Sequence, residues 1–390
     1  MDAYSKLGGL SFTLGDAQVA VRDMAQAFAA ARLAPMAVQW DRDKHFPVDV
    51  IRETAALGMA GIYVDEAFGG SGLTRLDAAL IFEALATGCP AISSYLSIHN
   101  MVAGMIDRYG TEVQKQAFLP RLCSMELLSS YCLTEPAAGS DAAALRTKAV
   151  LDGDDYVLNG AKQFISGAGA TDLYVVMARS GGAGPGGISA FLVEKGTPGL
   201  SFGVNEDKMG WKAQPTRQVI LEDVRVPAAN LLGGEGNGFK IAMTGLDGGR
   251  INIGAAALGG AQAALDKTLT YLKERRAFRK AIGEFQALQF RIADMATELD
   301  AARFMLWRAA LSLDVGSPDA TMHCAMAKRF STDIAFDVAN QALQMHGGYG
   351  YLADYGIEKL VRDLRVHQIL EGTNEIMRLI ISRQIMGAAQ

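Results

Sequence analysis

The strongest constraint in this sequence is a change of periodicity partway along the chain. Up to about residue 125 the apolar residues recur at helical spacing. From 128 to about 235 they come in short β-branched runs, and beyond that helical spacing returns and persists. The middle stretch "KAVLDGDDYVLNGAKQFISG" holds Asp152-Gly153 and Asn159-Gly160, dipeptides that favour tight turns between strands. "DLYVVMAR", "ISAFLVEK" and "RQVILEDVRVP" follow, separated by glycine- and proline-rich loops with no helical pattern between them. This excludes a βαβ array and predicts a small antiparallel β domain between two helical ones. The expected division is an N-terminal α-helical domain over 1–127, a middle β domain over 128–235 and a C-terminal helical bundle over 236–390.

The flanks support that multi-domain α+β reading. Asp16 is a candidate N-cap before an Ala-rich amphipathic stretch. Leu258, Ala261, Leu265, Leu269 and Leu272 share one helix face, as do Ile292, Met295, Leu299, Ala302 and Leu306. Gly316-Ser317-Pro318 reads as a helix stop, an N-cap and a first-turn proline. These pieces suggest a bundle.

Composition removes several function classes. No apolar run approaches the roughly 18–20 residues of a membrane span, and the first residues lack the pattern of an export signal. A cytoplasmic protein is expected, or a mitochondrial-matrix one if the chain is a processed eukaryotic product. Cys89, Cys123, Cys132 and Cys324 form no CxxC pair and read as reduced core thiols. The histidines form no HExxH, so no protein-bound metal is expected. A net charge of −5 argues against a nucleic-acid or membrane-surface binder.

Two motif matches fail on context. "GAGPGG" (182–187) satisfies G-x-G-x-x-G, but a strand pattern follows it, so no helix N-terminus faces a phosphate. "GLSFG" (199–203) matches the nucleophile elbow without its helix, leaving Ser201 an ordinary serine.

"ILEGTNEIMR" (369–378) is more informative. Glu371 stands between an apolar pair and Gly372, ahead of the apolar run Ile376–Ile381. In apolar surroundings a carboxyl has a raised pKa and can act as a base. The bland alternative is an acid answering the dipole of the helix that follows. Pattern alone leaves both open.

"YCLTEPAAGSD" (131–141), "ERRAF" (274–278) with Phe285-Gln286, "QMHGGYGY" (344–351) and "RVHQILEGTNEIMRLIISR" (365–383) occur in the order and spacing of the acyl-CoA dehydrogenase family. The chain resembles that family over roughly 15–386. "SIHNM", "FISGAGATD", "GTPGLSFG", "GWKAQPTR" and "GLDGGRINI" most resemble its isobutyryl-CoA-oxidising branch of valine breakdown. The resemblance implies a helical–β–helical fold, non-covalent FAD, a homotetramer, and oxidation of an acyl-CoA thioester to the 2-enoyl-CoA. Electrons then pass to an electron-transferring flavoprotein. Isobutyryl-CoA is the first choice, with 2-methylbutyryl-CoA or butyryl-CoA as alternatives. A DNA-binding flavin relative and an acyl-CoA oxidase are the rivals; the acidic balance disfavours the first.

By resemblance, Glu371 is the base that takes the α-proton while a hydride leaves the β-carbon for flavin N5. Its backbone N–H holds the thioester carbonyl, as an oxyanion hole would. A few members place the base at the position of Gly249, which here has none to offer, and Asp247 stands two residues away. Asp247, Gly248, Gly249 and Arg250, the last expected at a helix start, fall to the substrate site; Ser140 touches flavin and substrate, and Arg383 the CoA. For the flavin the resemblance implies Tyr131, Cys132, Leu133, Thr134, Gly139 and Ser140, with Phe164, Ile165 and Ser166 as a wall. Relatives often have Trp and Thr at 164 and 166. Arg275, Phe285, Gln286, Gln344, Met345, His346, Gly347 and Gly348 serve the FAD pyrophosphate and adenine of a neighbouring subunit, and Thr373, Asn374 and Glu375 complete the site. Arg279 stands where the family commonly has glycine, which puts the local backbone in question.

Overall fold

The computed structural model describes residues 14–387. Helical segments come first: α1 (Asp16–Phe28), α2 (Ala37–Asp43), α3 (Val48–Glu53), α4 (Arg75–Gly88), α5 (Pro90–Tyr109) and α6 (Glu112–Cys123). Local chemistry sets several of these boundaries. Thr74 and Thr111 accept hydrogen bonds from the N3 backbones of α4 and α6, while the N3 side chains Asp77 and Gln114 bond back. The cap of α1 is Gly15 rather than Asp16, which is the helix's first residue and places its charge in the first turn.

The middle of the chain folds into an eight-stranded sheet. Its strands are β1 (Ser129–Cys132), β2 (Lys148–Asp152), β3 (Asp155–Ser166), β4 (Leu173–Arg179), β5 (Ile188–Glu194), β6 (Leu200–Phe202), β7 (Thr216–Pro227) and β8 (Leu231–Leu232). The main pairings are antiparallel, in the order β6-β7-β3-β2-β4-β5-β8. Two are parallel: β1 runs beside β4 from Leu173 to Val176, and β2 meets β4 at Arg179. The β2–β3 hairpin lies between β1 and β4 in sequence and returns the chain to the same edge, which periodicity alone does not reveal. The register of β3 on β7 shifts twice, between Leu158 and Gly160 and between Lys162 and Ile165.

Beyond the sheet, α7 (Gly238–Glu274) leads into the small hairpin of β9 (Arg276–Ala277) and β10 (Lys280–Ala281). Then come α8 (Gln286–Asp314), α9 (Ala320–His346), α10 (Ile357–Arg365) and α11 (Asn374–Ile385). Three long helices form the bundle, and the short α10 and α11 lie along α9. α8 stops before Gly316 (φ +64), but α9 starts two residues after Pro318. The Ser317 hydroxyl accepts from Asp319 N and forms an intervening turn. One core joins α4, α5 and α7–α10, and two smaller ones lie against the faces of the sheet. Cys89, Cys123, Cys132 and Cys324 are buried and unpaired. Among the described residues no helix is long and apolar enough to cross a membrane.

The G-x-G-x-x-G match lies in the β4–β5 connection, where Arg179 Nη1 donates to the carbonyls of Gly182 and Gly184. The loop wraps a guanidinium and runs into β5. Ser201 is an exposed residue of β6.

The sheet is clasped to the bundle by buried charge. Asp363 on α10 accepts from Trp211 N at 2.6 Å through one oxygen and from Lys359 Nζ at 2.5 Å through the other. Burial disfavours the Lys359 ammonium, but Asp363 outweighs it and holds its pKa above the usual value. A Lys359→Met variant strands a buried carboxylate and is expected to lose about 3–5 kcal/mol of stability, read from denaturant unfolding.

Candidate active site

The turn between α10 and α11 delivers Glu371. Both Glu371 (φ +54) and Gly372 (φ +91) are left-handed. For a non-glycine residue this region is strained, and such strain persists where the surroundings over-determine it. Thr373 then caps α11 by accepting from Ile376 N.

The turn presses the Glu371 carboxyl against α7. A Cβ on Gly249 would lie 2.2 Å from Glu371 Oε2. The residue is half-buried as a whole, but Oε2 is enclosed and has no hydrogen-bond partner. Burial pushes its pKa up to about 7, with Arg250 and Lys328 pulling the other way. A carboxyl poised near neutrality can take and release a proton at little cost.

Arg250 lies well inside α7, not at its start, because helix continues unbroken through Gly245, Gly248 and Gly249. It is 5% exposed. Its Nη1 donates to Asp247 Oδ1 at 2.7 Å and its Nε to the Glu371 carbonyl at 3.4 Å. Asp247 in turn accepts from Thr321 Oγ1 at 2.7 Å. Arg250 is thus paired to a neighbouring carboxylate and at the same time touches the turn that carries Glu371. Gly248 leaves room for Arg75, whose guanidinium lies 3.7 Å over the Tyr63 ring. Tyr63 donates to Asn252 Oδ1 at 2.9 Å.

The loop from Tyr131 to Ser140 is fixed from below. Lys162 Nζ donates to Leu133 O at 3.1 Å and to Glu135 Oε1 at 2.7 Å. Glu135 also accepts from the backbone N–H groups of Arg146 and Thr147, and Gln163 N donates to Thr134 O. Burial raises the Glu135 pKa, but Lys162 and these donors outweigh it and leave the carboxyl below its ordinary range. Cys132, Leu133 and Ile165 turn their side chains into the cores, so only their backbones face outward. Gly139 and Ser140 are exposed, with open space beside Gly139. The second register shift of β3 puts Phe164 at φ +60 and turns its ring outward, 64% exposed. Ser166 is half-buried beside it. The Tyr131 hydroxyl is enclosed without a partner and feels the Glu371 charge.

A separate cleft of about 390 Å³ brings Arg275 together with the residues from Gln344 to Gly348. His346 stacks on Tyr271 at 4.4 Å, and Arg275 lies over Tyr349. Phe285 is the N-cap and Gln286 the first residue of α8, both outside that lining, with Phe285 edge-on to Phe278. The hairpin turn is made by Phe278 (φ +50) and Arg279 (φ +69). Two left-handed turn residues explain why glycine suits position 279; the arginine keeps the hairpin at a strain of about 1–2 kcal/mol. Arg383 is exposed in the last turn of α11, and Glu375 in its first. The Asn374 amide is buried and bonded inside the protein.

The sequence reading did not single out Tyr63, Arg75, Asn252 or Lys328. A usable signal exists for two of them: Asn252 interrupts the small and apolar run after Arg250, and Lys328 stands on the buried face of α9 with Cys324, Ser331 and Ala335.

Comparison with known proteins agrees with this architecture. The models of the acyl-CoA dehydrogenase N-terminal, middle and C-terminal domains match residues 15–126, 130–224 and 236–386. The chain belongs to the acyl-CoA dehydrogenase family and is an oxidoreductase. It is 55% identical over 376 residues, 96% of this chain and 90% of the other, to the mitochondrial isobutyryl-CoA dehydrogenase of Dictyostelium discoideum. The butyryl-CoA dehydrogenase structure from Megasphaera elsdenii superposes with a TM-score of 0.94 at 40% identity, covering 97% of this chain and 100% of that one. A structure of PigA with FAD and proline gives 0.93 at 33%, covering 97% and 100%.

The residues present fit a flavin. An aromatic ring turned outward at Phe164, the open backbone at Gly139 and the half-exposed Thr134 offer a face and hydrogen-bonding groups on the sheet side of the site.

The contact at Gly249 is directly testable. Alanine there should favour the helix by about 0.5–1 kcal/mol in isolation. Its methyl claims the carboxyl's place, so Gly249→Ala is expected to cut substrate-driven flavin reduction by about 100-fold while the protein stays folded. Stopped-flow absorbance and a melting curve measure the two effects.

Proposed function

We propose that the protein is an FAD-dependent dehydrogenase of a short branched acyl-CoA, converting isobutyryl-CoA to methacrylyl-CoA in valine breakdown. The observation that carries this is the enclosed Glu371 carboxyl, lacking a partner on Oε2 and poised near neutrality against α7. The high identity to a relative named for isobutyryl-CoA supports the choice of acyl group. 2-Methylbutyryl-CoA and butyryl-CoA remain within the same mechanism, since one methylene in an apolar pocket is worth only about 1–3 kcal/mol.

Glu371 Oε2 receives the α-proton as the Cα–H bond breaks, and the new double bond forms as a hydride leaves the β-carbon. Bound FAD supplies the acceptor for that hydride. Thr134, Gly139, Ser140, Phe164 and Ser166 would hold it on the sheet side. The Glu371 N–H polarises the thioester carbonyl, favouring charge that grows as the proton departs. Arg250 steadies the base through the Glu371 carbonyl. Enclosure keeps water from the carboxyl, which sustains its basicity.

Arg250 lies within α7 and Arg275 caps its C-terminus 25 positions on, about 37 Å of helical rise, too far for one dinucleotide to reach from the Glu371 site to the Arg275 cleft of the same chain. This supports a cofactor shared between neighbouring subunits in a homotetramer. An electron-transferring flavoprotein would be the partner that takes up the electrons removed from the substrate.

Purified protein given a panel of acyl-CoA esters should bleach its flavin with isobutyryl-CoA first. No bleaching by any short acyl-CoA would remove the activity. Because the ionised carboxyl is the active form, flavin reduction should rise with pH through about 7. Glu371→Gln should lower it by about 10²–10⁴-fold and flatten that dependence.

A further inference from the structure

A buried group that the reaction does not use, Lys328 on α9, bonds the turn that carries the base. Its ammonium donates to the Gly372 carbonyl at 2.8 Å and to Asn374 Oδ1 at 2.9 Å. Asn374 is held in turn by Asp333 Oδ1 at 2.7 Å and Thr332 Oγ1 at 3.0 Å, and Asp333 accepts from Gln368. This network grips the residues on either side of the α11 N-cap, immediately after the two left-handed residues of the base turn.

Stability alone is a poor reason for a lysine here. Burying an ammonium costs several kcal/mol unless a charge partner repays it, and both its bonded partners are neutral oxygens. A cation at the N-terminus of α11 is also on the wrong side of the helix dipole. Arg250, the other cation facing Glu371, is matched by Asp247 at 2.7 Å.

We propose that Lys328 is a positioning residue for the base: it locks the Glu371–Gly372 turn through the Gly372 carbonyl and Asn374, and sets a fixed positive charge beside the carboxyl. The inference rests on the reading of Glu371 as the proton acceptor. The charged and titratable groups facing Lys328 are Glu371 in the turn, Arg250 on α7, Glu375 on α11, His367 ahead of the turn and Asp333 on its own helix. Those facing Glu371 are Arg250, Lys328, Tyr131 and Tyr63. Burial lowers the Lys328 pKa to about 8, with Glu371 the largest opposing influence, so the ammonium is still charged where the base works.

The test is anaerobic flavin reduction by isobutyryl-CoA across the neutral pH range in FAD-loaded variants, with Glu371 protonation read independently from its carboxyl infrared band. Lys328→Met should move both midpoints up by about one pH unit and slow reduction about tenfold at neutral pH. Lys328→Arg should return the midpoint toward that of the parent. Asn374→Asp keeps the lysine but sets a carboxylate against it, and should raise the midpoint as well. A parental midpoint and rate in either Lys328→Met or Asn374→Asp overturns the proposal. Failure of both to accumulate as FAD-loaded protein assigns Lys328 to folding alone and overturns it too. Full turnover in Glu371→Gln, or a parent enzyme whose flavin no short acyl-CoA bleaches, would instead defeat the reading beneath it.

Discussion

A carboxyl shut away from water yet still able to ionise is the condition on which the site depends. Burial by itself would keep Glu371 protonated, and a carboxylate-bound cation by itself would hold it ionised and non-basic. The protein sets the balance with two guanidinium- or ammonium-bearing side chains of different standing. Arg250 is largely satisfied by Asp247, whereas Lys328 bonds neutral oxygens. The result is a group near neutrality instead of at either extreme.

That balance needs backbone precision, and the fold supplies it from three directions. α7 offers a surface without side chains at Gly248 and Gly249. α9 reaches across with Lys328, and the cap of α11 fixes the far side of the turn. In the sheet a buried Lys162–Glu135 pair steadies the loop after β1, and a bulge turns Phe164 outward. The Asp363 clasp, accepting from Trp211 N, ties a β-domain loop to the bundle.

Much of this could be read from the chain and some could not. The helix–sheet–helix order followed from periodicity, because 3.6- and 2-residue repeats leave different marks. The parallel placement of β1 beside β4 did not, since strand neighbours depend on chain return and not on local pattern. Glu371 was visible as an acid among apolar residues, but proposing it as the base needed the family resemblance. Arg250 was misplaced to a helix start because three glycines in six residues suggest a break; the helix runs on because its neighbours need that bare surface. Lys328, Tyr63 and Arg75 escaped notice, as lysines, tyrosines and arginines are so often solvated that only tertiary contact marks them out. Asn374 was expected to face the cofactor, yet its amide is spent inside the protein.

The near-touch between Gly249 and the Glu371 carboxyl has a further meaning. Two backbones, one on a long helix and one on a tight turn, converge on a single small volume. An acid rooted on either could fill it, but not acids on both. Moving the carboxyl from one root to the other is therefore geometrically a reciprocal exchange of two residues.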